Sequence, residues 1–218
     1  MKEKFMNGLL TLAVVLMMQL LWWFGIHGPN VMSAVTTPFM TKMMATNLEL
    51  YQAGEGVTAS GVFYTAGSKY SIIANPFASG WFSSTGSGIT MGLIVAIMLF
   101  SKRDDFKAIA KLAIPCGIFN INEPIIFGIP MVMNPMFAVP FFLAPVACVC
   151  CGYLVQSLGL CPLFVIDVPW TTLVGLFGFL ASSGNIMGAI WQAVIILGVS
   201  TLIYTPFVIA ANRQTEEA

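Results

Sequence analysis

Two acidic side chains stand almost alone in the second half of this chain. Between Leu112 and Asn212 the only charged residues are Glu123 and Asp167. An acid at the centre of a bilayer costs about 2.5–3.5 kcal/mol on insertion scales. A chain keeps one there when it lies at the interface, faces a wet cavity or holds a ligand. Glu123 sits in Asn120-Ile121-Asn122-Glu123-Pro124, so amide groups that donate and accept flank a carboxylate that accepts from a hydroxyl or takes its proton. His27, the sole histidine, sits in the constrained turn Gly25-Ile26-His27-Gly28-Pro29-Asn30. It reads equally as a hydrogen-bonded group at a helix end or as a ligand contact. Asp167, just before Pro169 and Trp170, reads as an interfacial or structural acid. The five cysteines, Cys116, Cys148, Cys150, Cys151 and Cys161, lie in apolar surroundings without metal spacing to histidine. They read as small packing residues, and neither metal nor cofactor is expected.

The elements that must position these residues are membrane elements. The chain is 58% hydrophobic and 8% charged, with a mean hydropathy of +0.88, where a soluble domain carries about 25% charged residues. Uncharged runs from Phe5 to Thr41, from Tyr70 to Ser101 and after Glu123 each exceed the roughly 20 residues of a spanning helix. The expected fold is an all-α polytopic membrane protein of about five apolar segments, with broken helices and re-entrant hairpins. Residues 1–218 are read as a single membrane domain. Zero net charge offers no basic patch for nucleic acid.

In chain order, Phe5–Gly25 reads as a retained first helix rather than a cleaved signal, with Trp22 and Trp23 suited to an interfacial belt. Val31–Met44, with Pro38 in its middle and Lys42 near its end, reads as a short embedded or interfacial helix. Ala45–Ser71 reads as a polar loop, with Glu49 and Glu55 solvated. Ile72–Gly88, rich in Gly and Ser, suits close packing or a re-entrant element before a helix at Ile89–Phe100. Residues 101–114 read as an amphipathic segment on the cytoplasmic side, because Lys102, Arg103, Lys107 and Lys111 outnumber Asp104 and Asp105. Ser101 or Asp104 is the expected cap. Residues 115–135 hold the Asn-Glu-Pro hairpin. Six prolines from Pro115 to Pro145 predict broken rather than straight helices there, of the kind transporters use to build substrate sites. A third segment reaches about Leu160, a fourth covers Leu163–Ser183, and a last covers Ile186–Ala211, followed by Arg213 and a tail with Glu216 and Glu217. With Lys2 and Lys4 inside, the basic loop also falls inside.

Gly117-Ile118-Phe119-Asn120-Ile121-Asn122-Glu123-Pro124-Ile125-Ile126-Phe127-Gly128-Ile129-Pro130, followed by Asn134-Pro135, resembles the signature of the lactose/cellobiose family of phosphotransferase-system permeases, the membrane IIC components of bacterial sugar uptake. Trp23-Phe24-Gly25-Ile26-His27-Gly28, the Gly86-Ser87-Gly88 turn, and Val168-Pro169-Trp170-Thr171-Thr172 with Gly175 resemble the same family, in the same order. The resemblance covers the family's second, sugar-binding half. It implies a multi-pass protein of the bacterial cell membrane that binds a disaccharide of cellobiose, lactose or β-glucoside type. The sugar would be carried inward and phosphorylated on a hydroxyl by a phosphocysteine of a soluble IIB partner, itself served by IIA. That makes the chain a transport subunit whose phosphoryl-donor cysteine lies on another protein.

By the same resemblance Glu123 contacts the sugar near the reacting hydroxyl, His27 is a second polar contact, and Asn120, Asn122 and Trp170 complete the pocket; independently, a carboxylate there has the chemistry to help remove that hydroxyl's proton. Further partners implied are membrane lipid, a separately encoded first half and a second copy of the chain. Two other readings stay open at this point: a secondary transporter with His27, Glu123 and Asp167 as an ion or proton relay, and an inactive fragment of a split or truncated gene.

Overall fold

The computed structural model describes residues 2–65 and 67–216; Met1, Ala66, Glu217 and Ala218 lie outside the described residues. Helix α1, Lys2–Trp23, stops where Gly25 turns to φ +80°. Helix α2, Gly28–Gln52, then starts with His27 as its cap, the ring Nδ1 accepting the Asn30 amide at 3.2 Å. A β-carbon on Gly28 would lie 2.1 Å from the Met18 carbonyl oxygen, so only glycine lets the start of α2 rest on the backbone of α1.

Helix α2 runs straight past Pro38 to Gln52, which corrects both the short-helix and the loop expectations. Helix formers fill Met43–Leu50, and no strong breaker comes before Gly54. The polar stretch that follows holds a two-stranded hairpin, β1 (Val57–Thr58) and β2 (Gly61–Val62), paired Val57 to Val62 and Thr58 to Gly61. Asn47, buried on α2, anchors the next extended segment by donating to the Ser71 carbonyl and accepting its amide, both at 2.8 Å.

Helix α3, Asn75–Trp81, is short and buried. Trp81 stacks on Phe164 with centroids 5.2 Å apart. A 3₁₀ turn at Ser87–Ile89 leads into α4, Met91–Phe100, and α5 covers Asp104–Ile118. Arg103 holds the N-cap position of α5 and makes no side-chain cap bond; of the expected caps, Ser101 accepts the Arg103 amide at 3.1 Å just ahead of the helix, while the Arg103 guanidinium grips Asp105 at 2.6 Å and lies over Phe106. That hydrogen bond holds Asp105 below the usual carboxylate range. The pairing is complete above the unfolded carboxylate pKa of about 3.9 and is lost as pH falls through the lowered folded value.

Helix α6, Glu123–Gly128, is followed by α7, Pro135–Ser157. Helix α7 passes Pro140 and Pro145 without interruption, contrary to the expectation from proline density. Each proline removes one ladder donor, a loss that helices packed in a membrane tolerate. The expected fourth segment is largely non-helical. Only α8, Leu176–Ala181, is helical there; Val165 and Ile166 instead donate to the Ala181 carbonyl. Helix α9, Ile186–Ala193, passes through a π-helical stretch at Val194–Val199 into α10, Ser200–Glu216.

Pro135–Ser157 and Ile186–Arg213 are long and apolar enough to cross a membrane, with shorter apolar helices at Gly8–Trp23 and Ser87–Phe100. Two apolar clusters form the interior. One gathers α1, α3, α8 and the extended 162–168 chain against α7; the other gathers α4, α5, α6 and α10 around the start of α7. The turns at 83–88 and 119–122 are joined by side-chain bonds from Asn120 and Asn122.

Candidate functional site

Two irregular turns are sewn together here by side-chain amides. Asn120 sits at φ +65°, a left-handed conformation that asparagine tolerates better than most residues. Its Oδ1 accepts the Thr85 amide at 2.6 Å, and its Nδ2 donates to the Thr172 carbonyl at 2.8 Å and to that of Trp170. Asn122 donates to the Ser87 carbonyl at 2.5 Å. Gly86, at φ +80°, has no room for a side chain, because a β-carbon would fall 2.3 Å from Cγ of Asn122. The Asn-x-Asn amides thus bind protein backbone and fix the corner from which Glu123 projects.

Glu123 is the first residue of α6 and half-buried. Among the described residues no donor or cation meets its carboxylate. His27 spends Nδ1 on the Asn30 amide, so a ring proton sits on Nε2, which is left as a donor. Its ring lies 4.8 Å from that of Trp22. Trp170 is 59% exposed, with its backbone held by Asn120.

These residues border one cavity of 810 Å³, within the roughly 300–1,000 Å³ of small-molecule sites. His27, Asn120, Asn122, Glu123 and Trp170 all line it. Asp167 does not: it accepts from Asn75 at 3.0 Å and borders a separate hollow of 450 Å³ beside Tyr51 and Ser183. A three-member relay of His27, Glu123 and Asp167 therefore has no common space. Trp22 was expected at the membrane interface; it is 4% exposed and forms a wall of the cavity. Asn30, Ser33, Ser79, Ser83 and Ser87, which the sequence reading did not assign to the site, also line it. The four-residue spacing of the last three was the available signal. Among the described residues no group of three His, Cys, Asp or Glu side chains converges to hold a metal.

An acid able to accept from hydroxyls, an imidazole donor, and an indole suit a neutral polyol. The profile of the family described as Phosphotransferase system, EIIC matches residues 4–145. The chain belongs to the phosphotransferase system EIIC family. It is 36% identical to the cellobiose-specific EIIC component of Lactococcus lactis over 94% of this chain and 43% of that protein. It is 35% identical to the oligo-beta-mannoside-specific EIIC component of Bacillus subtilis, over 93% of this chain and 43% of that one. The crystal structure of the transporter ChbC, the IIC component from the N,N'-diacetylchitobiose-specific phosphotransferase system, superposes with a TM-score of 0.83 at 33% identity, covering 94% of this chain and 44% of that one. The chain thus spans less than half the length of the relatives it matches. As an EIIC-family chain with apolar spanning helices it is an integral protein of the bacterial plasma membrane.

Proposed function

We propose that this EIIC chain supplies the sugar-binding region of a phosphoenolpyruvate-dependent permease. It holds a disaccharide of cellobiose, lactose or β-glucoside type for phosphorylation by a soluble IIB partner, with IIA upstream. What supports this above all is the Glu123 carboxylate, half-buried beside the cavity with no protein partner among the described residues. In this reading Glu123 accepts from the sugar hydroxyl that is to be phosphorylated and helps draw off its proton as the phosphoryl group arrives. His27 Nε2 donates to a second oxygen. Trp170 offers an aromatic face to the C–H side of a ring. Asn120 and Asn122 belong to the same pocket and hold its walls. The basic segment containing Lys102, Lys107 and Lys111 lies on the cytoplasmic side, from which IIB approaches.

The test is uptake of labelled disaccharide by cells that have lost their own permease and carry this chain as part of a full EIIC. Glu123→Gln reduces uptake to background and weakens sugar binding by about 10- to 100-fold, the range of a hydrogen bond to a charged group, while membrane insertion is unchanged. Normal uptake by that variant removes the role given to Glu123. Uptake that requires phosphoenolpyruvate and survives an uncoupler separates this reading from ion-coupled transport.

A further inference from the structure

One wall of the cavity has chemistry that Glu123, His27 and Trp170 do not use. Ser79 lies on α3, Ser83 just after it and Ser87 in the 3₁₀ turn, each four residues on from the last, and all three line the cavity. Ser87 adjoins the Glu123 corner, since its carbonyl accepts from Asn122 at 2.5 Å. Ser79 lies on α3, whose first residue, Asn75, reaches Asp167 outside this cavity. The hydroxyls of Ser71, Ser182 and Ser200 bond to backbone carbonyls, as buried hydroxyls normally do. Those of Ser79, Ser83 and Ser87 meet no protein partner among the described residues, although Ser87 is only 6% exposed.

The wall is also held in place. Gln192 donates to the Gly80 carbonyl at 3.2 Å, the Ser83 amide bonds back to Ala78 at 3.2 Å, and the Thr85 amide is fixed by Asn120 at 2.6 Å. The backbone that carries these hydroxyls is therefore preorganised, which lowers the ordering cost of binding. Lysine and arginine are absent from the cavity lining, so an anion placed against this wall would go uncompensated.

We infer that Ser79, Ser83 and Ser87 form a subsite for the second ring of the sugar, and that the unit it takes is an uncharged, hydroxyl-rich hexose. This rests on the sugar-binding reading proposed above. Each serine donates to and accepts from ring hydroxyls, and its small side chain leaves the width a second ring needs.

The experiment is calorimetric titration of the full chain in lipid nanodiscs with cellobiose and with methyl β-glucoside, which lacks the second ring. The combined Ser79→Ala, Ser83→Ala and Ser87→Ala variant loses no hydrogen bond of the fold. It is expected to bind cellobiose at least about tenfold more weakly, as loss of two or three hydrogen bonds implies, and methyl β-glucoside within about twofold of the parent. Ser83→Leu, which fills the subsite with bulk, gives the same split by a second route. Equal weakening of both sugars, or unchanged cellobiose binding in both variants, overturns the subsite. A parent chain that binds neither sugar overturns the sugar-binding reading beneath it.

Discussion

Asn120 combines a left-handed backbone with an amide that joins three chain segments. Two substitutions separate those roles. Asn120→Gly keeps the backbone conformation and loses every side-chain bond, stranding the Thr85 amide and the carbonyls of Trp170 and Thr172. Thermal unfolding in detergent should report a loss of about 1–3 kcal/mol, the cost of buried groups left unpaired. Asn120→Asp keeps the acceptor for Thr85 but sets an anion against two carbonyls. Stability should fall, and sugar-induced tryptophan fluorescence should fall with it, because the segment carrying Trp170 is pushed away by the buried anion. Equal fluorescence responses in variant and parent would contradict this. Sequence picks out Glu123 because its charge is isolated, and His27 because glycine and proline surround it. It is silent on what the asparagines hold, because their partners lie 35, 50 and 52 residues away.

Among the elements, the helix running from α9 through α10 fastens backbone turns along its length. Gln192 accepts the amides of Gly175 and Gly178 at 2.9 and 2.8 Å and donates to the Gly80 carbonyl. Tyr204 donates to the Gly88 carbonyl at 2.7 Å. Between them lies the π-helical stretch Val194–Val199, which sets how far one anchor is rotated from the other. Gln192→Leu leaves two amides and a carbonyl unpaired in the interior, and should lower the unfolding temperature by several degrees; an unchanged midpoint would show that α8 does not depend on Gln192. Apolar runs made the long helices legible. Proline density misled at Pro140 and Pro145 because it describes an isolated helix rather than one packed among neighbours. The 163–175 stretch misled in the other direction, since apolar composition marks burial and cannot distinguish a helix from extended chain anchored to Ala181 and Asn120.

For the whole molecule, the span Ile186–Arg213 of 28 residues reaches about 42 Å at about 1.5 Å per residue, more than the roughly 30 Å hydrocarbon core. Its two ends therefore emerge on opposite faces. Asn212 holds the Lys102 amide at 2.9 Å, which puts Arg213 with the basic loop. Asn185 donates to the Ser60 carbonyl, which puts the β1–β2 hairpin at the far face. From the positive-inside rule we propose that the basic end faces the cytoplasm. In a background with Cys150 replaced, a cysteine at Lys107 should resist an impermeant thiol reagent in intact cells and one at Ser60 should react; the reverse pattern would invert the orientation. The central claim is that the cavity bordered by His27, Glu123 and Trp170 is where a sugar is held. Its most direct test is a cryo-EM map of the full chain in nanodiscs saturated with cellobiose. The account predicts sugar density within hydrogen-bond reach of the Glu123 carboxylate and His27 Nε2, with its second ring against Ser79, Ser83 and Ser87. Sugar density elsewhere, or lipid filling the cavity beside Glu123, would contradict it.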